Sequence, residues 1–145
     1  MTLQNLLGKT LDAVVPNRET VRRLLVAAER NLTDAALPAL STENRFDAAY
    51  KAIMQCAMIA LHANGYRTLT SRPGHHQTVI QSLPQTIGLA TDEMIVLDAL
   101  RKQRNLADYD GDPVPDSTAL DCINCARSLF AELKNWLAGN RPDLL

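Results

Sequence analysis

The stretch Arg101 to Tyr109 reads RKQRNLADY and sets two guanidiniums, a carboxamide, a carboxylate and a phenol close together in the chain. At about 100° per residue, a helix brings Arg101, Asn105 and Tyr109 onto one stripe, with Arg104 and Asp108 as an i, i+4 pair beside it. Those groups suit a phosphate or a ribose hydroxyl: arginine offers a planar fork, asparagine a donor and an acceptor, tyrosine a stacking face and a hydroxyl. The plainer structural account is that basic residues near a helix C-terminus complement the dipole, that Arg104 and Asp108 form a surface ion pair worth about 0.3–0.5 kcal/mol, and that Tyr109 anchors the helix end.

Two further groups carry side chains capable of chemistry. His75 and His76 follow Pro73-Gly74 and open a short helix, where they cap it or line a groove; either ring, brought to Arg104, would supply a group that moves protons near neutral pH. Cys122 and Cys125 form a C-x-x-C, but they sit within a helical pattern, with no knuckle turn and no nearby second ligand pair, so packing is the better reading and no metal is expected. Arg22, Arg23 and Arg30 read as a solvated helix face. The sequence has no phosphate-cradling glycine loop and no H-E-x-x-H, G-x-S-x-G or EF-hand pattern.

The elements that must position these residues are helical. Asn17 reads as an N-cap for a helix over 18–36 with Val21, Leu24, Leu25, Ala28, Leu32 and Ala35 inward; Ser41 or Thr42 caps a second over 43–64, closed by Gly65. Tyr66 to Gly74 reads as a polar connection punctuated by Pro73, followed by a weaker helix from His75 to Leu83. Thr91 caps a helix that ends near Tyr109. Asp116 or Ser117 opens the last, with Leu120, Ile123, Ala126, Leu129, Phe130, Leu133, Trp136 and Leu137 inward and Gly139 as its stop. Residues 1–16, ended by Pro16, read as a short N-terminal helical extension. No stretch alternates with period two and no internal repeat occurs, so the expectation is a single all-α domain over 1–145, an antiparallel up-down bundle of four to five helices.

Composition narrows the function classes. The chain has 145 residues, 46% hydrophobic and 21% charged, which supports a packed core without staples. A net charge of −1 excludes a global basic field, and 4% aromatics argue against a base-stacking sheet, so any nucleic acid contact must come from a local patch. No apolar run reaches the roughly 18–20 residues of a membrane span, and three cysteines in helical patterns suit reduced thiols, so a cytoplasmic location without membrane association is expected.

The helix order, the second helix ENRFDAAYKAIMQCAMIALHANG, the loop with Gly74, His75 and His76, and the later RKQRNLADY together resemble a HEPN domain. The resemblance covers residues 18–138 in organisation, and its specific part is the short motif. It implies an α-helical bundle, often a homodimer, found in toxin-antitoxin and RNA-processing systems, with many members cutting RNA without metal or other cofactor. Their motif is an arginine, a polar residue after it and a histidine four to six positions on. Here Arg104 matches the arginine, Asn105 the polar residue and Tyr109 the histidine position, so the catalytic trio carried over is Arg104, Asn105 and Tyr109, with Arg101, Asp108, His75 and His76 as binding residues. The departure is chemical: a phenol ordinarily titrates near pH 10, a poor match for proton transfer at neutral pH. The resemblance therefore implies binding of RNA or a nucleotide, with endoribonuclease activity dependent on another base. It also implies a partner antitoxin or nucleotidyltransferase, for which Tyr109 would be an acceptor. The alternative is a non-catalytic helical interaction module or the substrate-binding partner of a nucleotidyltransferase.

Overall fold

A computed structural model describes residues 2–71 and 74–145; the expected Pro73 punctuation lies outside the described residues. The chain folds as an all-α bundle whose central member is decided by burial. Helix α1 spans Arg18–Ala35 and α2 spans Thr42–Ala63. Thirteen of the 22 residues of α2 are buried, from Phe46 to Ala63, too many for one apolar stripe, so α2 is covered on several sides. Alanines at 49, 52, 57 and 60, all fully buried, let neighbouring backbones approach it closely.

Polar contacts along α2 set the directions of its neighbours. The Asn17 N–H donates to His62 Nε2 at 2.8 Å, Asn31 Nδ2 to Gln55 Oε1 at 2.9 Å and Arg45 Nε to the Ala35 carbonyl at 2.8 Å, so α1 and α2 are antiparallel. The chain then passes through two short helices, α3 (His75–Gln81) and α4 (Leu83–Ile87), and returns along α2 as α5 (Thr91–Asn105). Asn64 Nδ2 ties the end of α2 to the Thr86 carbonyl at 3.2 Å, which starts that return. The last helix, α6 (Asp116–Asn140), runs parallel to α2: Thr42 Oγ1 meets Asp116 at 2.7 Å at one end, and Arg141 Nη1 meets the Ala63 carbonyl at 2.8 Å at the other. The order α1, α2, α5, α6 is thus up-down-up-down, with α3 and α4 as the insert. No helix among the described residues is long and apolar enough to cross a membrane.

Local signals account for the start of α1 and both ends of α2. Asn17 accepts from Thr20 N and Ser41 from Asn44 N, both as N-caps, and Gly65 takes φ +91° just beyond α2. Three details depart from the sequence reading. Thr91 is the first residue of α5 and makes no side-chain cap, α6 continues through Gly139 to Asn140, and Leu120 is 56% exposed because the inward face of α6 runs through Ala119, Cys122 and Ile123 instead.

The larger departure is at the N-terminus. The described part of the expected helical extension, residues 2–16, is not one: a 3-10 turn at Gln4–Leu6 is followed by strand β1 (Leu11–Ala13), paired antiparallel with β2 (Tyr66–Thr68). Gly8 at φ +79° ends the turn, and the ladder extends through Val14 N to Gly65 O and Leu69 N to Thr10 O. Asp12 and Arg67 face each other in register and form an exposed ion pair at 3.1 Å. Backbone pairing with a segment distant in sequence outweighs the helical periodicity of Leu3, Leu6, Leu7 and Leu11.

At the head of β1, the Thr10 Oγ1 is buried with no hydrogen-bond partner among the described residues. Leaving such a group unpaired costs about 1–3 kcal/mol. Thr10→Val keeps the branched shape and removes the hydroxyl, and it is expected to raise unfolding free energy by about 1 kcal/mol in a urea titration. A lowered midpoint would mean that the hydroxyl has a partner.

Candidate functional site

Arg104, the penultimate residue of α5, lies against the first third of α2. Its guanidinium carbon is 5.1 Å from the centroid of the Tyr50 ring, within cation–π range. Tyr50 is 1% exposed and is held there as part of the inward face of α2 with Phe46 and Ile53. Its hydroxyl is 3.2 Å from Nδ1 of His76, the second residue of α3, and the His75 ring meets the His76 ring edge-on at 4.5 Å. Gly74, at φ +79°, turns the chain into α3 and delivers both histidines to this corner. Three elements thus converge: α2 supplies the phenol, α3 the imidazoles and α5 the cation.

The electrostatics follow from burial. Burial pushes the Tyr50 phenol up to about 12, against the pull of Arg104 and Arg101, so the hydroxyl keeps its proton at neutral pH, and its oxygen can accept from His76 Nδ1–H, which leaves Nε2 of the neutral ring as the open lone pair. Burial also lowers the His76 pKa, helped by His75, Arg104 and Arg101, so the ring is a neutral base at neutral pH. Asp47, one turn before Tyr50 on α2, has its carboxyl raised by burial first and by Asp108 second, with Arg104 and Lys51 working against it.

Arg104 Nε also reaches Asp108 Oδ2 at 3.4 Å, and the two line a cavity of about 260 Å³ with Glu43, Phe46 and Asp47. Arg101 is paired through Nε with Asp98 at 2.8 Å and is 14% exposed, while Lys102 approaches the same carboxylate at 3.8 Å. Both arginines therefore have carboxylate partners supplied by their own helix end.

Of the residues expected at the site, Arg104, Asp108, His75 and His76 come together, and Arg101 contributes charge from behind its ion pair. Asn105 is half-buried as the last residue of α5. Tyr109 does not join them: it is 84% exposed. The α-helical spacing that aligned Arg101, Asn105 and Tyr109 stops at Asn105, because Leu106–Asp110 is a π-helical turn closed by Gly111 at φ +71°. A wider turn rotates every following side chain off the α-helical stripe. Tyr50 and Asp47 were not read as site residues. Their signal is a hydroxyl-bearing aromatic on an apolar stripe, three residues after a carboxylate that burial leaves only half-exposed.

Cys122 is fully buried, its Sγ 3.9 Å from the Phe46 carbonyl, and burial pushes its thiol up to about 12; Cys125, half-buried, is also raised. They pack as small apolar residues between α6 and its neighbours. Among the described residues no group of three or more His, Cys, Asp or Glu side chains is placed to hold a metal ion.

His62, 8% exposed near the end of α2, has its pKa lowered by burial, as His76 does. Both rings therefore titrate below 6.5 when folded, and below that pH the unfolded chain binds more protons. Their contribution is complete above 6.5 and is lost as pH falls toward the folded values. The urea midpoint should drop between about pH 7.5 and about pH 5.5, and less so in His62→Gln. Asp47 and Glu132, both raised, act in the opposite sense nearer the carboxylate range. A midpoint that rises on acidification would contradict this reading.

No family model matches the chain, and no curated protein matches it significantly.

Proposed function

We propose that the corner formed by Tyr50, His76 and Arg104 binds the phosphate backbone of RNA and cleaves it without metal. The observation that carries the reading is the connected series of guanidinium over phenol at 5.1 Å and phenol to imidazole at 3.2 Å. Arg104 holds the phosphate, and its Tyr50 platform fixes it in place. His76 replaces the motif histidine that Tyr109 does not supply. The neutral imidazole takes the proton of a ribose 2′-hydroxyl, the 2′-oxygen bonds to phosphorus, the bond to the 5′-oxygen breaks, and that oxygen takes up a proton returned by the imidazolium. The products are a 2′,3′-cyclic phosphate and a 5′-hydroxyl end. The helix order and the RNLADY motif support the same assignment, a HEPN-like protein. In that setting a homodimer would place two such corners together, and an antitoxin or nucleotidyltransferase partner would act on or cover them.

The Asp108 carboxylate, paired with Arg104 Nε at 3.4 Å, competes with and repels a phosphate at Arg104. Asp108→Asn is therefore expected to tighten binding of a short single-stranded RNA by about threefold to tenfold; unchanged affinity would mean that the ion pair does not occupy the phosphate position. The direct test is incubation of the purified protein with total RNA in EDTA beside an Arg104→Ala control. Cyclic-phosphate ends that appear with the wild type and vanish with Arg104→Ala support the reading.

One observation favours a second reading. The cavity beside Arg104 is lined by four carboxylates, Glu43, Asp47, Asp108 and Asp112, against the one guanidinium. That suits a non-catalytic module receiving a basic protein segment, and RNA neither bound nor cut in the EDTA assay would favour it.

A further inference from the structure

A second cavity lies at the opposite end of α2. His62, which lines it, is twelve residues beyond Tyr50, roughly 18 Å along the helix at 1.5 Å per residue, so it is separate from the Arg104 corner. It has a volume of about 600 Å³, within the range of small-molecule sites, and it is bordered by α1, α2, β2 and the segment that follows β2 to Ser71. Leu24, Met58 and Leu61 give it an apolar wall. Its polar lining residues are Thr20, His62, Tyr66, Arg67, Thr68, Thr70 and Ser71. Among the described residues that line it there is no carboxylate.

The charge pattern selects the ligand's head. His62 Nε2 accepts from the Asn17 N–H at 2.8 Å, so the neutral ring carries its proton on Nδ1 and is a donor. Arg67 spends Nη2 on Asp12 at 3.1 Å, outside the cavity lining, and keeps Nε and Nη1. The site therefore joins an apolar wall to a donor-rich, cationic rim. We propose that this cavity binds a small organic acid: an apolar body against Leu24, Met58 and Leu61, with its carboxylate at Arg67 and the His62 N–H. Binding would also brace β2 against the α1–α2 pair, since Arg67 and Thr68 belong to β2.

The probe is octanoate, with 1-octanol as its uncharged counterpart, read on the ¹³C-labelled methyl of Met58 and assigned with Met58→Leu. The buried Met54 methyl serves as internal reference. Octanoate is expected to shift the Met58 resonance saturably at submillimolar concentration and to bind more tightly than 1-octanol. Arg67→Gln, which breaks only an exposed ion pair, is expected to weaken octanoate by at least about fivefold and leave 1-octanol unchanged. Leu24→Phe, which fills the cavity, is expected to abolish both. Retained folding of each variant is checked by its thermal midpoint. No saturable shift with the wild type, octanoate binding insensitive to Arg67→Gln, or binding that survives Leu24→Phe would each overturn the proposal.

Discussion

Under the proposed mechanism, in which the His76 ring moves a proton and Arg104 carries the phosphate, His76→Ala is expected to lower the rate of RNA cleavage by about 10²–10⁴-fold while leaving RNA affinity nearly unchanged. The two effects separate in the kinetics: His76→Ala lowers kcat at constant KM, whereas Arg104→Ala raises KM as well. The pH profile gives an independent readout. A general base must be neutral, and burial beside His75, Arg104 and Arg101 holds His76 below its ordinary 6.5. The wild-type rate should therefore climb on the acid side and level off below pH 6.5. Tyr50→Phe keeps the platform under Arg104 but removes the hydroxyl that orients His76, so it should reduce kcat more than it affects RNA binding. Equal loss of affinity and rate in His76→Ala would remove the ring from the chemical step and leave it a binding group.

The reason this arrangement was hard to read from sequence is specific. Arg104, Asn105 and Tyr109 are neighbours in the chain, so their spacing suggested a cluster on α-helical geometry that the π-helical turn at Leu106–Asp110 then breaks. Tyr50 and His76 are 26 residues apart and on different helices, and no local pattern announces their contact. The same division runs through the fold. Asn17, Ser41 and Gly65 act within one turn of their own residues, so the ends of α1 and α2 were legible. Strands β1 and β2 have three residues each and lie more than 50 residues apart. Three residues are too few to establish a period of two, and their stability comes from pairing with each other. Ile95 and Val96 show a third kind of limit: they are 58% and 48% exposed although the apolar run DEMIVLDAL includes them, since only Leu97 and Leu100 of α5 are buried. Hydrophobicity places a residue on a helix but leaves several rotations of that helix open.

Rotation is also what the largest stability difference tests. Ile53 sits on α2, three residues beyond Tyr50, with no exposed surface, and Ile53→Ala is expected to cost about 2–5 kcal/mol through lost burial and the cavity left behind. Against a total stability of about 5–15 kcal/mol, that is a large share, and it should lower the thermal midpoint by about 10 °C. Because Ile53 adjoins the turn that holds Tyr50, the variant should also loosen the platform under Arg104. Leu120→Ala is the informative partner. Helical periodicity alone puts Leu120 inward on α6, whereas the fold leaves it 56% exposed beside the fully buried Cys122. An exposed leucine on a helix costs little when shortened, within about 0.5 kcal/mol. Comparable losses from Ile53→Ala and Leu120→Ala would mean that α6 is rotated about its axis. That rotation would carry Cys122 away from the Phe46 carbonyl and alter the packing behind Asp47 and Tyr50, so the two denaturation midpoints together test the frame on which the proposed site depends.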